Sequence, residues 1–318
     1  MQVIHYSVLK HEVLTHLVPL SNEGLVVDCT LGEGGHTEAL LSVYPKIRVA
    51  GIDRDQDVLQ RAQQRLKPFG SRFIPLNGWF DEVLKDFPSD LPRPEAVLMD
   101  LGISMYHYEA SQRGFSFSTE EQLDMRLDTT QDKSARDVIN SYREGDLADV
   151  IYHYGEERYS RRIASAICRE RSQAPIETAR QLRDVIYHAV PVGYRRGRIH
   201  PATKTFQAVR IEVNNELGRL QGAVDAALGL LVEQGRLGII SFHSLEDRVV
   251  KHRFRLLAGR APGDDPEVQY YKDHPAVKLI TRKPIVPGAR ELEENQPSRS
   301  AKLRVAEKTG EVKLCAQP

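Results

Sequence analysis

Residues 24–37 read GLVVDCTLGEGGHT: a short apolar run, an acid, then three glycines within four positions. The run has the length and β-branched content of a buried strand. Glycines directly after it leave no Cβ between the backbone and an approaching ligand, and the helix that follows offers unpaired N–H groups. The spacing is G-x-G-G rather than the G-x-G-x-x-G of dinucleotide folds, which argues against a nicotinamide dehydrogenase. The pattern repeats downstream. Residues 47–53 (IRVAGID) form a second strand ending in an acid about twenty residues after the glycine loop. Residues 55–66 carry Val58, Leu59, Ala62 and Leu66 at helical spacing, and 72–76 and 96–100 (AVLMD) are two further strands. Strand alternating with helix predicts a doubly wound α/β fold with a mostly parallel sheet. Asp28, Asp53 and Asp100 all fall at carboxyl ends of strands, where ligands bind in such sheets.

The pattern changes after about residue 103. Residues 104–133 are polar and turn-rich, and from 134 to 190 single apolar stripes predict helices. Val213, Leu217, Leu220 and Val224 continue as helix into a strand at 236–242, and 278–286 with 302–305 read as a late strand pair. The simplest organisation is one α/β domain, 1–104 with 212–318, interrupted by a helical insertion at 105–211. Of the 318 residues, 44 are Lys or Arg and 44 Asp or Glu, so net charge gives no nucleic-acid signal and any such contact needs a local patch. A hydrophobic content of 41% rules out a largely disordered chain. No apolar run approaches the roughly 20 residues of a bilayer helix, so no membrane role is expected. His5, Lys10, His11 and Glu12 interrupt the apolar core a signal peptide needs. Cys29, Cys168 and Cys315 lie far apart with no CxxC, which predicts neither disulfide framework nor zinc site, no resident metal, and a cytoplasmic location.

Several residues are candidates for chemistry. Asp53 can accept both hydroxyls of an adenosine ribose; its alternative is a helix cap, a task Asp55 can also do. Trp79 or Phe80, after the third strand, can stack on an adenine face or pack in the core. Asp100 can accept from an amine or face a cationic ligand. The stretch 185–211 holds Arg195, Arg196, Arg198, Lys204 and Arg210, with Tyr194 and Phe206 interleaved and no acid, and is the best phosphate-binding candidate. In SFHSLEDR (241–248), Ser244 with Asp247 resembles a capping box, and His243 is either a general base or structural.

Taken together, HYSVLKHEVL (5–14), DCTLGEGGHT (28–37), DRD (53–55), DLGIS (100–104), RGFSF (113–117), LDMRLD (123–128), YGEERYSRRIA (154–164), HPATKTFQAVRIEVNNEL (200–217), SFHSLEDRVVK (241–251) and SRSAKLRV (298–305) resemble, in order across nearly the whole chain, the MraW family of small-subunit ribosomal RNA methyltransferases. The resemblance implies a class I S-adenosylmethionine-dependent methyltransferase fold, Rossmann-like, with an inserted all-helical domain. It implies N4-methylation of a cytidine in the decoding, peptidyl-site region of 16S rRNA, with the small ribosomal subunit as partner. By motif match, Gly34, Gly35 and His36 line the cofactor loop, Asp53 holds the ribose, Phe80 lies by the adenine and Asp100 completes the pocket. The family has a glutamine seven residues after that aspartate, where this chain has His107. Its tail, NQPSR (295–299), keeps Arg299 but lacks a neighbouring arginine of the family pattern. Asp100 and then His243 are the expected catalytic residues. Arg195, Arg196, Arg198, Lys204 and Arg299 are the expected RNA contacts. The alternatives are an RNA-binding assembly factor on a methyltransferase fold, or methylation of another RNA base. A homodimer also stays open.

Overall fold

The structure, a computed structural model, describes residues 7–118 and 120–313, so His5 and Cys315 lie outside it. The chain divides into two compact units: Ile103–Glu216, and the chain before and after it.

The discontinuous unit is built on seven strands: β1 Leu25–Asp28, β2 Arg48–Asp53, β3 Phe73–Asn77, β4 Ala96–Asp100, β5 Arg236–Ser241, β6 Val277–Leu279 and β7 Lys302–Lys308. Their order is β3-β2-β1-β4-β5-β7-β6. The pairs from β3 through to β5 are parallel, and β7 runs antiparallel between β5 and β6. Neighbouring side chains on a strand point to opposite faces, so a strand buried on both faces needs a continuous apolar run. Leu25 and Val27 of β1 join Val97 and Met99 in one core, against Leu220, Val224 and Phe254. Val26 joins Val49 and Leu98 in the other, against Leu40, Leu59 and Leu66. Helices therefore cover both faces. The chain moves outward from β1 through β2 to β3, then returns to β1's other side as β4. That reversal opens a crevice at the carboxyl ends of β1 and β4.

The helical unit comprises Ala135–Ser141, Glu144–Gly155, Ser160–Arg171, Ala179–Ala189, Val192–Arg195 and Ala202–Asn214, after a short helix at Met105–Glu109. Its core gathers Val138, Ile151, Ile163, Ile167, Leu182, Ile186, Phe206 and Val209. Capping boxes start two helices, Ser134 with Asp137 and Thr178 with Gln181. Gly155 lets Glu144–Gly155 approach Ala202–Asn214, since a Cβ there would meet the Lys204 carbonyl oxygen at 2.6 Å.

Three expectations need correction. The helix drawn through Val213 to Val224 is two helices, Ala202–Asn214 and Glu216–Leu230, separated by Asn215 in the left-handed region at φ 50°. The strand drawn over 278–286 is β6 alone. Ile280 and Thr281 both donate to the Val305 carbonyl, and pairing returns only as a bridge at Ile285, after Pro284, which has no N–H to give. The capping box at Ser244 sits one residue earlier, between His243 and Glu246.

Candidate cofactor and active site

The loop after β1 is stitched to both neighbouring strands. Cys29 N donates to Leu98 O, and Leu31 N to Ile52 O. Asp100 N donates to Thr30 Oγ1 at 2.6 Å, and Gly32 N to Asp53 Oδ2 at 2.9 Å. Asp53 and Asp100, each the last residue of its strand, are thus tied to one loop from opposite sides, and Asp28 ends β1 between them. The turn needs glycine: Gly32 and Gly34 have φ of 53° and 82°, and a Cβ on Gly34 would lie 2.9 Å from Leu66 Cδ1. Gly34 caps the helix Gly35–Val43 without any side-chain bond.

The acids differ in what holds them. Asp28 is buried, and its Oδ2 accepts from Thr37 Oγ1 at 2.8 Å. Burial raises its pKa against the opposing pull of His36 and Thr37. Asp53 accepts from Gly32 N and from Asp55 N, yet burial outweighs both bonds and pushes its pKa up to about 7. Asp55, not Asp53, caps the helix Gln56–Leu66, accepting from Asp57 N at 2.9 Å. Asp53 is therefore not committed to that capping task. Asp100 Oδ2 lies 3.3 Å from His36 Nε2, an ion-pair contact rather than an aligned hydrogen bond. Asp100 Oδ1 is buried and accepts no hydrogen bond among the described residues. Burial pulls the His36 imidazole down, but pairing with Asp100, with Asp28 behind it, prevails and raises its pKa.

The other candidates fall as follows. Phe80 opens the helix Phe80–Lys85 after β3 and is partly buried against the core. Trp79 is buried, with the Arg219 guanidinium 4.1 Å over its ring, so it takes the packing alternative. His243 is occupied structurally: its ring accepts from Glu246 N, and its Nε2 lies 3.1 Å from Glu246 Oε1. His107 belongs to the helical unit, buried, with its ring edge-on to Phe115 at 5.1 Å. Arg195, Arg196, Arg198 and Lys204 share the helical unit, whereas Arg299 lies exposed on a short turn of the other unit. Sequence reasoning missed the two threonines that brace the acids, Thr30 and Thr37. Their signal was a hydroxyl two and nine residues after a strand-end aspartate.

A mostly parallel, doubly wound sheet closed by an antiparallel strand, with acids and a glycine turn at the switch point, defines a class I methyltransferase fold. A profile of the MraW methylase family matches residues 2–309. The chain is 51% identical over 310 residues to the ribosomal RNA small subunit methyltransferase H of Treponema denticola, covering 97% of this chain and 98% of that one. It is 45% identical to the protein of the same name from Persephonella marina, covering 96% and 99%. Among solved structures, an rRNA methylase from Streptococcus thermophilus superposes with a TM-score of 0.42 at 12% identity, over 95% of each chain. The chain belongs to the MraW methylase family. It is a methyltransferase, and its methyl donor is S-adenosylmethionine.

The residues present fit that donor. Its sulfonium and ammonium are cationic, and the rim offers three carboxyl groups, one with a buried oxygen that no protein donor satisfies among the described residues. Its carboxylate needs donors, and a helix N-terminus such as that of Gly35–Val43 presents backbone N–H groups. No helix among the described residues is long and apolar enough to cross a membrane.

Proposed function

We propose that this protein methylates the exocyclic N4 of a cytidine in the decoding, peptidyl-site region of 16S rRNA, acting on the small ribosomal subunit or its precursor. The names of its relatives support small-subunit rRNA as the substrate. The observation that carries the chemistry is the Asp100 carboxylate at the end of β4, whose Oδ1 has no hydrogen-bond partner among the described residues. Bound S-adenosylmethionine supplies an already activated methyl group, so neither metal nor covalent enzyme intermediate is required. The enzyme's contribution is alignment and electrostatics. Asp53 holds the ribose hydroxyls, Phe80 the adenine edge, and Gly34, Gly35 and His36 the amino-acid end.

The cytosine amine is a weak nucleophile because its lone pair is delocalised into the ring. A carboxylate oxygen accepting an N4 hydrogen favours a pyramidal nitrogen and stabilises the positive charge that develops there. Asp100 is assigned that role: its Oδ1 accepts no hydrogen bond among the described residues, and its Oδ2 lies against His36. His243, held in its cap, is the secondary candidate. The base must leave its stack to reach this position. By motif match, Arg195, Arg196, Arg198, Lys204 and Arg299 contact RNA phosphates, and His107 holds the sequence place of the family's glutamine.

Mass-spectrometric mapping of 16S rRNA from cells with and without the gene tests the proposal. An N4-methylcytidine at the peptidyl site that disappears with the gene is the expected result; loss of a different modified base overturns the assignment.

A further inference from the structure

The helical unit carries a column of planar groups, of which the proposed function uses only the Arg195 charge. Phe117 meets the buried Phe206 edge-on at 5.1 Å, which roots the column in the core. His200 stacks on Phe117 with centroids 4.9 Å apart and planes 27° from parallel. Tyr187 stacks on His200 at 6.0 Å and 22°. The Arg195 guanidinium lies 4.9 Å over the Tyr187 ring.

Each member is fixed. His200 Nδ1 accepts from Ala202 N at 3.2 Å, which sets the ring's orientation and tautomer. Burial and the nearby Arg183 hold its pKa below the usual histidine value, so at neutral pH it stacks uncharged. Arg195 donates to the carbonyls of His188 and Val190, at the end of the helix Ala179–Ala189, where a cation is favourable. Its plane is therefore held before any ligand arrives, which lowers the entropy lost on binding.

The outer end is open and its charge is unspent. Tyr187 is 36% exposed, and Val192 and Ile199, in the segment that carries Arg195 and His200, are 60% and 54% exposed. Arg195 bonds only to backbone carbonyls, and neither Arg196 nor Arg198, both exposed, pairs with a carboxylate among the described residues. A purely structural column would end in core packing or in a neutralised ion pair. This one ends in an immobilised guanidinium laid over a tyrosine ring, flanked by two arginines with no carboxylate partner among the described residues. Flat π surfaces with adjacent cations match an unpaired nucleobase and its phosphates. An acidic peptide would use the charges and leave the rings idle.

We infer that the Tyr187–Arg195 end of this column seats one unpaired base of an RNA strand, with its flanking phosphates against Arg196 and Arg198. This rests on the RNA reading above and adds a seat for a base other than the one methylated.

The test uses the full chain and two labelled dodecamers of equal charge, oligocytidine and an abasic ribose-phosphate chain, with binding followed by anisotropy over a range of salt. Tyr187→Ala is expected to weaken oligocytidine binding by about 5- to 150-fold, the range of one base stack, and to leave abasic binding unchanged. Tyr187→Trp restores the affinity. Arg195→Lys keeps the charge but loses the plane, so it weakens oligocytidine binding with an unchanged salt slope. If Tyr187→Ala alters both chains equally or neither, or if poly-aspartate displaces oligocytidine equally well from wild type and Tyr187→Ala, the seat is refuted. Wild type that binds neither dodecamer and leaves small-subunit rRNA unmethylated overturns the RNA reading instead.

Discussion

Asp100 and Asp53 share a rim but are set for different tasks, and substitution separates them. Asp100→Asn keeps the shape and the contact to His36 but removes the negative oxygen. Turnover should fall by about 10²–10³-fold, the usual loss for one preorganised electrostatic group, with a much smaller change in cofactor affinity. Single-turnover rates and calorimetric Kd measure the two; equal losses would make Asp100 a binding residue only. Asp53 governs a pH effect. The unfolded chain releases its proton near 3.8, whereas the native state keeps it to about 7. Between those values the fold binds more protons than the unfolded chain, so its stability falls as pH rises. Asp28, raised by burial, acts in the same direction. His36, raised through Asp100, adds stability that is fully present below 6.5 and lost as pH passes its folded value. Melting temperatures of the cofactor-free protein should therefore decline from about pH 5 to pH 8, less steeply in Asp53→Asn. Cofactor affinity should rise over the same range as Asp53 ionises.

At the scale of elements, the glycine turn is the piece whose geometry cannot be relaxed. Gly34→Ala forces a Cβ into the left-handed region and against Leu66. A loss of about 1–3 kcal/mol in denaturant stability, together with weaker cofactor binding, is expected. Ser134→Ala removes one half of a capping box in the helical unit and should cost about 1 kcal/mol without touching cofactor affinity. What could be read from residues alone follows the same division. β1, β2, β4 and β5 were legible because strands buried on both faces must be continuous apolar runs, and each ends at an acid or a turn. Asn215 was not legible as a break, because Val213 and Leu217 keep helical spacing straight through it. The box at His243 was misplaced by one residue, since a ring nitrogen did the work expected of the Ser244 hydroxyl. The rim aspartates were found by position. That Asp100 keeps one oxygen free, while Asp53 has both bonded, depends on Thr30, Gly32 and His36 meeting across strands, which no local pattern encodes.

At the scale of the molecule, the helical unit is continuous in sequence and has its own core. Residues 103–216 expressed alone should fold, with strong helical circular dichroism and a cooperative melt. A non-cooperative transition would mean that the rest of the chain is needed. Reversing Arg195, Arg196 and Arg198 to Glu in the full chain should weaken RNA binding and flatten its salt dependence, by about 0.7 in log–log slope for each single-strand phosphate that is no longer neutralised. An unchanged slope would remove this stretch from the interface. The insertion has a further cost, borne during synthesis. Asp100 ends β4 and Arg236 opens β5, its neighbour in the sheet. At ordinary translation speeds that leaves an apolar strand edge waiting on the order of ten seconds for its mate. The nascent chain is then most exposed to mispairing, and a ribosome stalled within the insertion would release a half-sheet prone to aggregate.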